Sequence, residues 1–197
     1  MSDKEISKIF VILASPKKNN STTKICLSLS KKIKNLGVEV DLVDIQREEE
    51  FKGFFEPKVS DTKSLEYQIR IKKSDLVMVF YTNHWSILPG ILTVFIEKVF
   101  RKGFAFAKYK NNYQGLLDKK SFMVVEITEQ EIWKERFLYK NRLKIWWKRV
   151  FFKQCNLNGN YQRFKAPPKA KDENLNTLNK QETRIKNRLF KTLKPFL

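Results

Sequence analysis

Residues Lys73–Phe106, KSDLVMVFYTNHWSILPGILTVFIEKVFRKGFAF, carry the clearest structural signal in the chain. Leu76–Thr82 is rich in β-branched and aromatic residues and apolar on both faces, as a central strand of a parallel sheet must be. A polar turn follows, Asn83-His84-Trp85-Ser86, and Pro89 then stands near the first turn of a helix predicted to run to about Arg101. In open parallel α/β sheets ligands bind in the crevice just past the carboxyl ends of the strands, so the chemistry is expected at this turn.

Upstream, Lys8–Ala14 (KIFVILA) reads as a first buried strand, followed by the polar loop 15–22 and a helix over Thr23–Leu36. Ile25, Leu29, Ile33 and Leu36 share one face of that helix, Ser21 or Thr22 is a suitable N-cap, and Gly37 a suitable stop. Strand, polar loop and helix start together offer backbone N–H groups and hydroxyls at the positive end of a helix, which suits a phosphate dianion. An ordinary capped turn has the same appearance. The loop lacks the glycines of a dinucleotide fingerprint and the Gly-Lys-Ser/Thr ending of a triphosphate loop. Val38–Asp44 alternates and predicts a second strand, and the long connection 45–64 carries Phe51, Phe54 and Phe55, which need burial. A second helix is expected from Asp61 or Thr62 to Lys72, with Leu65, Ile69 and Lys72 inward.

Downstream, Ile91, Leu92, Phe95, Ile96, Val99 and Phe100 make the post-Pro89 helix apolar over more surface than one sheet face consumes. The 45–64 loop or a second subunit is expected to cover the excess. Lys102–Lys120 reads as a connection, and Ser121–Thr128 (SFMVVEIT) as a fourth strand. One long helix is predicted from Glu129 to about Lys153, with Tyr139, Leu143, Trp146, Trp147 and Val150 inward and a basic stripe of Arg136, Lys140, Lys144 and Lys148 outward. Residues 155–165 form a weak fifth strand, and a linker leads to a last helix with Leu178, Ile185, Leu189 and Leu193 inward. Strands alternating with helices predict a single domain, 1–197, in which 166–197 is a linker plus C-terminal helix: a doubly wound α/β fold with a five-stranded parallel sheet and helices on both faces.

Composition narrows the function classes. The chain has 197 residues, enough for a sizeable core, and 42% apolar content. No apolar run has the length of a secretory signal or of a ~20-residue membrane span, so a cytoplasmic location is expected. Cys26 and Cys155 lack disulfide or metal-ligand spacing and read as small buried apolar residues; no metal site is expected. The net charge is +19, and Lys134–Leu197 alone holds 18 basic and 4 acidic residues. That asymmetry suits an acidic protein, a membrane surface, nucleic acid or a phosphorylated cofactor, although a Lys- and Asn-rich bias alone gives the same count. No nucleic-acid module accompanies it, so specific nucleic-acid binding is not expected.

Several matches combine into a family resemblance spanning roughly Lys8–Phe164. They are Ala14-Ser15-Pro16 with Ser21-Thr22-Thr23, Phe55-Glu56-Pro57-Lys58-Val59-Ser60, Ser74-Asp75-Leu76-Val77, His84-Trp85 with Pro89-Gly90-Ile91-Leu92, Phe95-Ile96-Glu97-Lys98-Val99-Phe100 and Gly103-Phe104-Ala105-Phe106. With these the chain resembles the flavodoxin-like NAD(P)H:quinone oxidoreductases, including the modulator-of-drug-activity type and the ancillary proteins of glutathione-gated potassium efflux systems. The resemblance implies a flavodoxin-like sheet of order 2-1-3-4-5, a bound FMN or FAD, NAD(P)H as hydride donor, a quinone-like acceptor, and homodimers with the site at the subunit interface. Carried over by position, Ser15, Lys17, Ser21, Thr22 and Thr23 would hold the flavin phosphate, and Thr82, Asn83, His84 and Trp85 would line the ring largely through backbone groups. Thr128 opens the loop after strand four. There the family carries Thr-Thr-Gly-Gly or similar, and this chain Thr128-Glu129-Gln130-Glu131, a difference that favours an alternative: a catalytically degenerate regulatory or binding subunit with a basic docking surface. No side chain is singled out as catalytic, and His84 is the sole histidine.

Overall fold

The computed structural model describes residues 6–17, 19–48, 51, 62–110, 112–167 and 175–197, the side chains of 175–178 and 196 excepted. Along the chain run β1 (Lys8–Ala14), α1 (Ser21–Lys34), β2 (Glu39–Asp44), a 3₁₀ turn at Ile45–Arg47, α2 (Thr62–Lys73), β3 (Leu76–Asn83) and α3 (Gly90–Val99). Then come β4 (Phe106–Tyr109), β5 (Asn112–Gly115), β6 (Ser121–Thr128), α4 (Ile132–Phe137), α5 (Arg142–Ile145), a π-helical segment at Trp146–Phe151, α6 (Phe152–Cys155), β7 (Asn158–Lys165) and α7 (Leu175–Leu193).

Among the described residues β2-β1-β3-β6-β7 form one parallel sheet, the expected 2-1-3-4-5 order. All eight residues of β3 are buried, because helices cover both faces of the strand at the sheet centre. Alternate residues divide the core. Phe10, Ile12, Val77, Val79, Phe122 and Val124 face α2, α3 and the aromatic 146–152 stretch. Ile9, Val11, Met78, Phe80, Met123 and Val125 face α1 and α7, where Ile185, Leu189 and Leu193 lie inward as expected. The excess apolar surface of α3 is met in part by the long connection: the Phe51 ring lies 5.0 Å from Phe95 and 5.5 Å from Tyr67. Phe54, Phe55, the linker 169–174 and the Leu178 side chain lie outside the described residues.

Three local expectations change. On α2, Leu65 and Ile69 are about half exposed, and Ser64, Tyr67, Gln68 and Ile71 form the buried stripe. The large Tyr67 ring wins the inward position between Phe51 and Phe95, and Gln68 Nε2 donates to the Val99 carbonyl at 2.9 Å. The helix predicted over 129–153 is broken into α4, α5, the π segment and α6, with Lys140 and Asn141 in left-handed conformation between the first two. Glu135 and Trp147 are both fully buried, and twelve residues of one straight helix would set them about 120° apart, so the chain bends to bring both inward. In consequence Val150 is exposed, Tyr139 only half-buried, and Arg136, Lys140, Lys144 and Lys148 are exposed on separate pieces instead of forming one stripe. Finally, the connection 102–120 contains an antiparallel hairpin, β4 with β5, which the sequence reading passes over.

The weakly patterned fifth strand is a full eight residues, and its glycine has a packing reason. A Cβ on Gly159 would stand 2.0 Å from Cδ2 of the Phe152 ring, which presses on the strand backbone there. Both cysteines are buried and free, and burial pushes the Cys155 thiol up to about 12. No helix among the described residues is long and apolar enough to cross a membrane. Gly159→Ala is expected to cost about 1–3 kcal/mol in chemical denaturation by forcing Phe152 out of place; an unchanged midpoint would refute the close contact.

Candidate functional site

The carboxyl ends of β1 and β3 meet where the strand order reverses. Asn20, which the sequence reading did not select, caps α1: its Oδ1 accepts from the Thr23 backbone N–H at 2.9 Å, replacing the expected Ser21 or Thr22 cap. Its Nδ2 donates to the Ser15 hydroxyl and, at 3.2 Å, to Thr82 Oγ1. Thr22 and Thr82 share a hydrogen bond of 2.8 Å, Ser15 and Thr82 one of 3.4 Å, and Thr23 Oγ1 donates to the Lys17 carbonyl at 3.2 Å. Ser15, Thr22, Thr23 and Thr82 are all buried, so their hydroxyls knit the loop to β3. Exposed Lys17, half-buried Ser21 and the first backbone N–H groups of α1 form the outward part. No acidic residue occupies the first turn of α1.

A cleft of about 270 Å³ joins this loop to the turn after β3, lined by Pro16, Gln46, Thr82, His84, Trp85 and the run Ile87–Ile91. One wall is apolar: Trp85 is 81% exposed and Ile87 is exposed beside it. A second cavity of about 310 Å³ lies at Leu76, Ser121 and Asn158, the amino ends of β3, β6 and β7, and is therefore at the wrong end of the sheet for the switch-point rule.

Asn83 and Thr128 are paired across β3 and β6, both fully buried, and so form the floor beneath the cleft instead of its lining. The loop 128–131 is tied to the turn: Gln130 Nε2 donates to the His84 carbonyl at 3.3 Å, its backbone N–H donates to Thr128 Oγ1 at 3.1 Å, and His84 Nδ1 lies 3.2 Å from Glu129. Glu131 pairs with Lys165. Both carboxylates of this loop, Glu129 and Glu131, thus have an imidazole or a basic partner.

Behind the turn is a buried polar network that the sequence reading missed. Glu126 accepts from Tyr81 and Tyr161 hydroxyls on one oxygen, and from Asn83 Nδ2 (3.0 Å) and Arg163 Nε (2.6 Å) on the other. Trp147 Nε1 donates to the Tyr81 hydroxyl at 3.1 Å. Burial first, and the Glu126 carboxylate second, push both phenols well above their usual range, which keeps them protonated donors. The one available signal was Glu126 itself, a lone carboxylate inside SFMVVEIT. Among the described residues no group of three His, Cys, Asp or Glu side chains could hold a metal ion.

Fold and site define a flavodoxin-like α/β protein with a ligand cleft at the β1/β3 switch point. A family sequence model described as a flavodoxin-like fold matches residues 7–152, and the chain belongs to that family. No curated protein matches it. Among solved structures it is similar to Smu.1420 from Streptococcus mutans (20% identity, TM-score 0.71, covering 91% of this chain and 99% of that one). It is also similar to an NAD(P)H:quinone oxidoreductase from Methanothermobacter marburgensis (11%, TM-score 0.73, 92% and 96%). A third is an FMN-dependent NADH-azoreductase from Bacillus anthracis in complex with FMN (13%, TM-score 0.66, 92% and 97%).

Two outcomes follow from this geometry. Thr82→Val removes the shared partner of Ser15, Asn20 and Thr22 and is expected to cost about 1–3 kcal/mol in urea denaturation. Stability should be full below about pH 10 and fall above it, because Tyr81 and Tyr161 ionise in the unfolded chain while the fold holds their protons. Tyr161→Phe should flatten that alkaline decline; an equally steep decline would assign it to other groups.

Proposed function

We propose that this protein is an FMN-dependent NAD(P)H oxidoreductase that passes two electrons to quinone-like acceptors, as a homodimer. The observation that carries the reading is the single cleft running from Pro16, beside the start of α1, to Trp85. The residues present fit a phosphorylated flat ring. Lys17, Ser21 and the outward N–H groups of α1 supply positive potential for a phosphate, and the Trp85–Pro89 wall supplies an apolar surface for a ring. Bound flavin would supply hydride acceptance from NAD(P)H and two-electron donation to the acceptor.

The chain's own residues bind and orient. The Ser15, Asn20, Thr22 and Thr82 bonds fix the phosphate loop on β3, so its N–H groups need no reorganisation when an anion arrives. Pro16 and Gln46 line the cleft together with Trp85 and Leu88. Exposed Trp85 and Ile87 at the cleft, and exposed Trp133, Phe137 and Leu138 on or just after α4, support the dimer by offering apolar surface. The Bacillus anthracis and Methanothermobacter marburgensis structures support the flavin and quinone parts of the reading by the names they carry.

A second reading, a docking subunit without turnover, is favoured by the face made by α1 and α7. Lys31, Lys34, Arg184, Arg188, Lys191 and Lys194 are all exposed there, and Glu182 is the one acidic side chain described on the two helices. Such a face suits an acidic protein or an anionic membrane surface. One titration separates the two readings. The purified protein should take up FMN, quench its fluorescence at about one equivalent per chain, and bleach on anaerobic addition of NADPH or NADH. A chain that takes up no FMN leaves the docking reading; one that takes up FMN but is not reduced by either nicotinamide removes the enzyme part alone.

A further inference from the structure

The turn that walls the cleft is held from behind by a residue on another element. Asn83, the last residue of β3, and Ser86, three residues on, are the two ends of the turn that carries His84 and Trp85. Glu135 of α4, with no solvent exposure, binds both ends through one oxygen: Asn83 Nδ2 donates to its Oε1 at 3.1 Å and Ser86 Oγ at 2.7 Å. The turn closes on itself by the Ser86 backbone N–H donating to Asn83 Oδ1 at 2.7 Å. Ser86 adopts φ +55°, a left-handed conformation that serine rarely takes without fixed partners, and the hydroxyl bond to Glu135 supplies one.

Charge follows the same residues. Glu126 and Glu135 are both fully buried, and one guanidinium serves both: Arg163 Nε lies 2.6 Å from Glu126, and Arg163 Nη2 3.4 Å from Glu135 Oε2. The remaining charged neighbours on the surrounding loops form their own pairs, His84 with Glu129 and Lys165 with Glu131. By formal charge the buried cluster carries one more carboxylate than cation, directly beneath the turn. Glu135 Oε2 and Arg163 Nη2 have no hydrogen-bond partner.

We propose that Glu135 is a positioning residue for the ring site: it clamps the Asn83–Ser86 turn at both ends and places beneath it a carboxylate whose one cationic neighbour, Arg163, is shared with Glu126. That charge disfavours the electron-rich reduced ring and lowers the midpoint potential of bound flavin. The inference rests on the flavin reading above.

Two variants and two readouts test it. Glu135→Gln keeps the shape and the acceptor for Ser86 but removes the charge; Ser86→Ala keeps the charge and removes one bond. FMN affinity is read by fluorescence quenching and the midpoint potential by anaerobic photoreduction against reference dyes. Ser86→Ala should weaken FMN about tenfold, because a turn released from Glu135 must be ordered when the ligand binds, with the potential unchanged; an unchanged affinity refutes the clamp. Glu135→Gln should move the potential in the positive direction. If the wild-type chain binds FMN and Glu135→Gln leaves the potential unchanged, whether or not its melting temperature falls, Glu135 has a structural role only and the inference fails alone. A wild-type chain that binds no FMN overturns the flavin reading and this inference with it.

Discussion

Four donors from the two flanking strands converge on the two oxygens of Glu126, and the arrangement of the sheet's carboxyl end depends on that. Tyr81 and Asn83 reach it from β3, Tyr161 and Arg163 from β7, and Glu126 itself stands on β6 between them. A buried carboxylate without partners would cost several kcal/mol, so the network has to be complete to be tolerated. Completeness imposes geometry: the strands must end in register, with Asn83 facing Thr128 and Thr128 facing Lys165. It also recruits Trp147 through Tyr81, which carries the constraint into the aromatic layer over that face of the sheet.

That aromatic layer explains why the segment after α4 is irregular. Trp147, Phe151 and Phe152 pack on one another and on Phe122, and Trp146 packs on Trp147 and Phe151, with ring centroids 4.9–6.3 Å apart, a cluster that one regular helix does not present from four nearly consecutive residues. The π segment widens the helix by one residue per turn and lets Trp147, Phe151 and Phe152 all point inward. Packing then dictates the backbone, and the edge strand β7 accommodates it with a glycine under Phe152. Local propensity is overruled where so much aromatic surface must be buried in so few residues.

The same balance separates what the sequence reveals from what it hides. β1, β3 and β6 are legible because a strand buried on both faces has no choice but to be continuously apolar, and the α1 and α7 faces because their leucines and isoleucines recur at helical spacing. The α2 face is misread since Leu65 and Ile69 match that spacing as well as Tyr67 and Ile71 do; only the tertiary positions of Phe51 and Phe95 decide between them. Ser15, Thr22 and Thr82 are correctly brought to one locality, but their hydroxyls turn out to bond one another, and Asn20 organises them. A capping residue and a spacer look alike in a run of Asn, Ser and Thr. Glu135 gives no sign at all, because among Lys134, Arg136 and their neighbours a buried glutamate is indistinguishable from a solvated one.

The loop after β6 has no glycine, and the structure gives a mechanical reading of that difference. The pairs His84 with Glu129 and Lys165 with Glu131 are largely exposed, and such pairs contribute little by themselves. The firm links are buried ones, Asn83 and Ser86 to Glu135, so the turn, the loop and α4 behave as one body. Parting them would strand Asn83 and Glu135 without partners in the interior, a cost no loosely held lid carries.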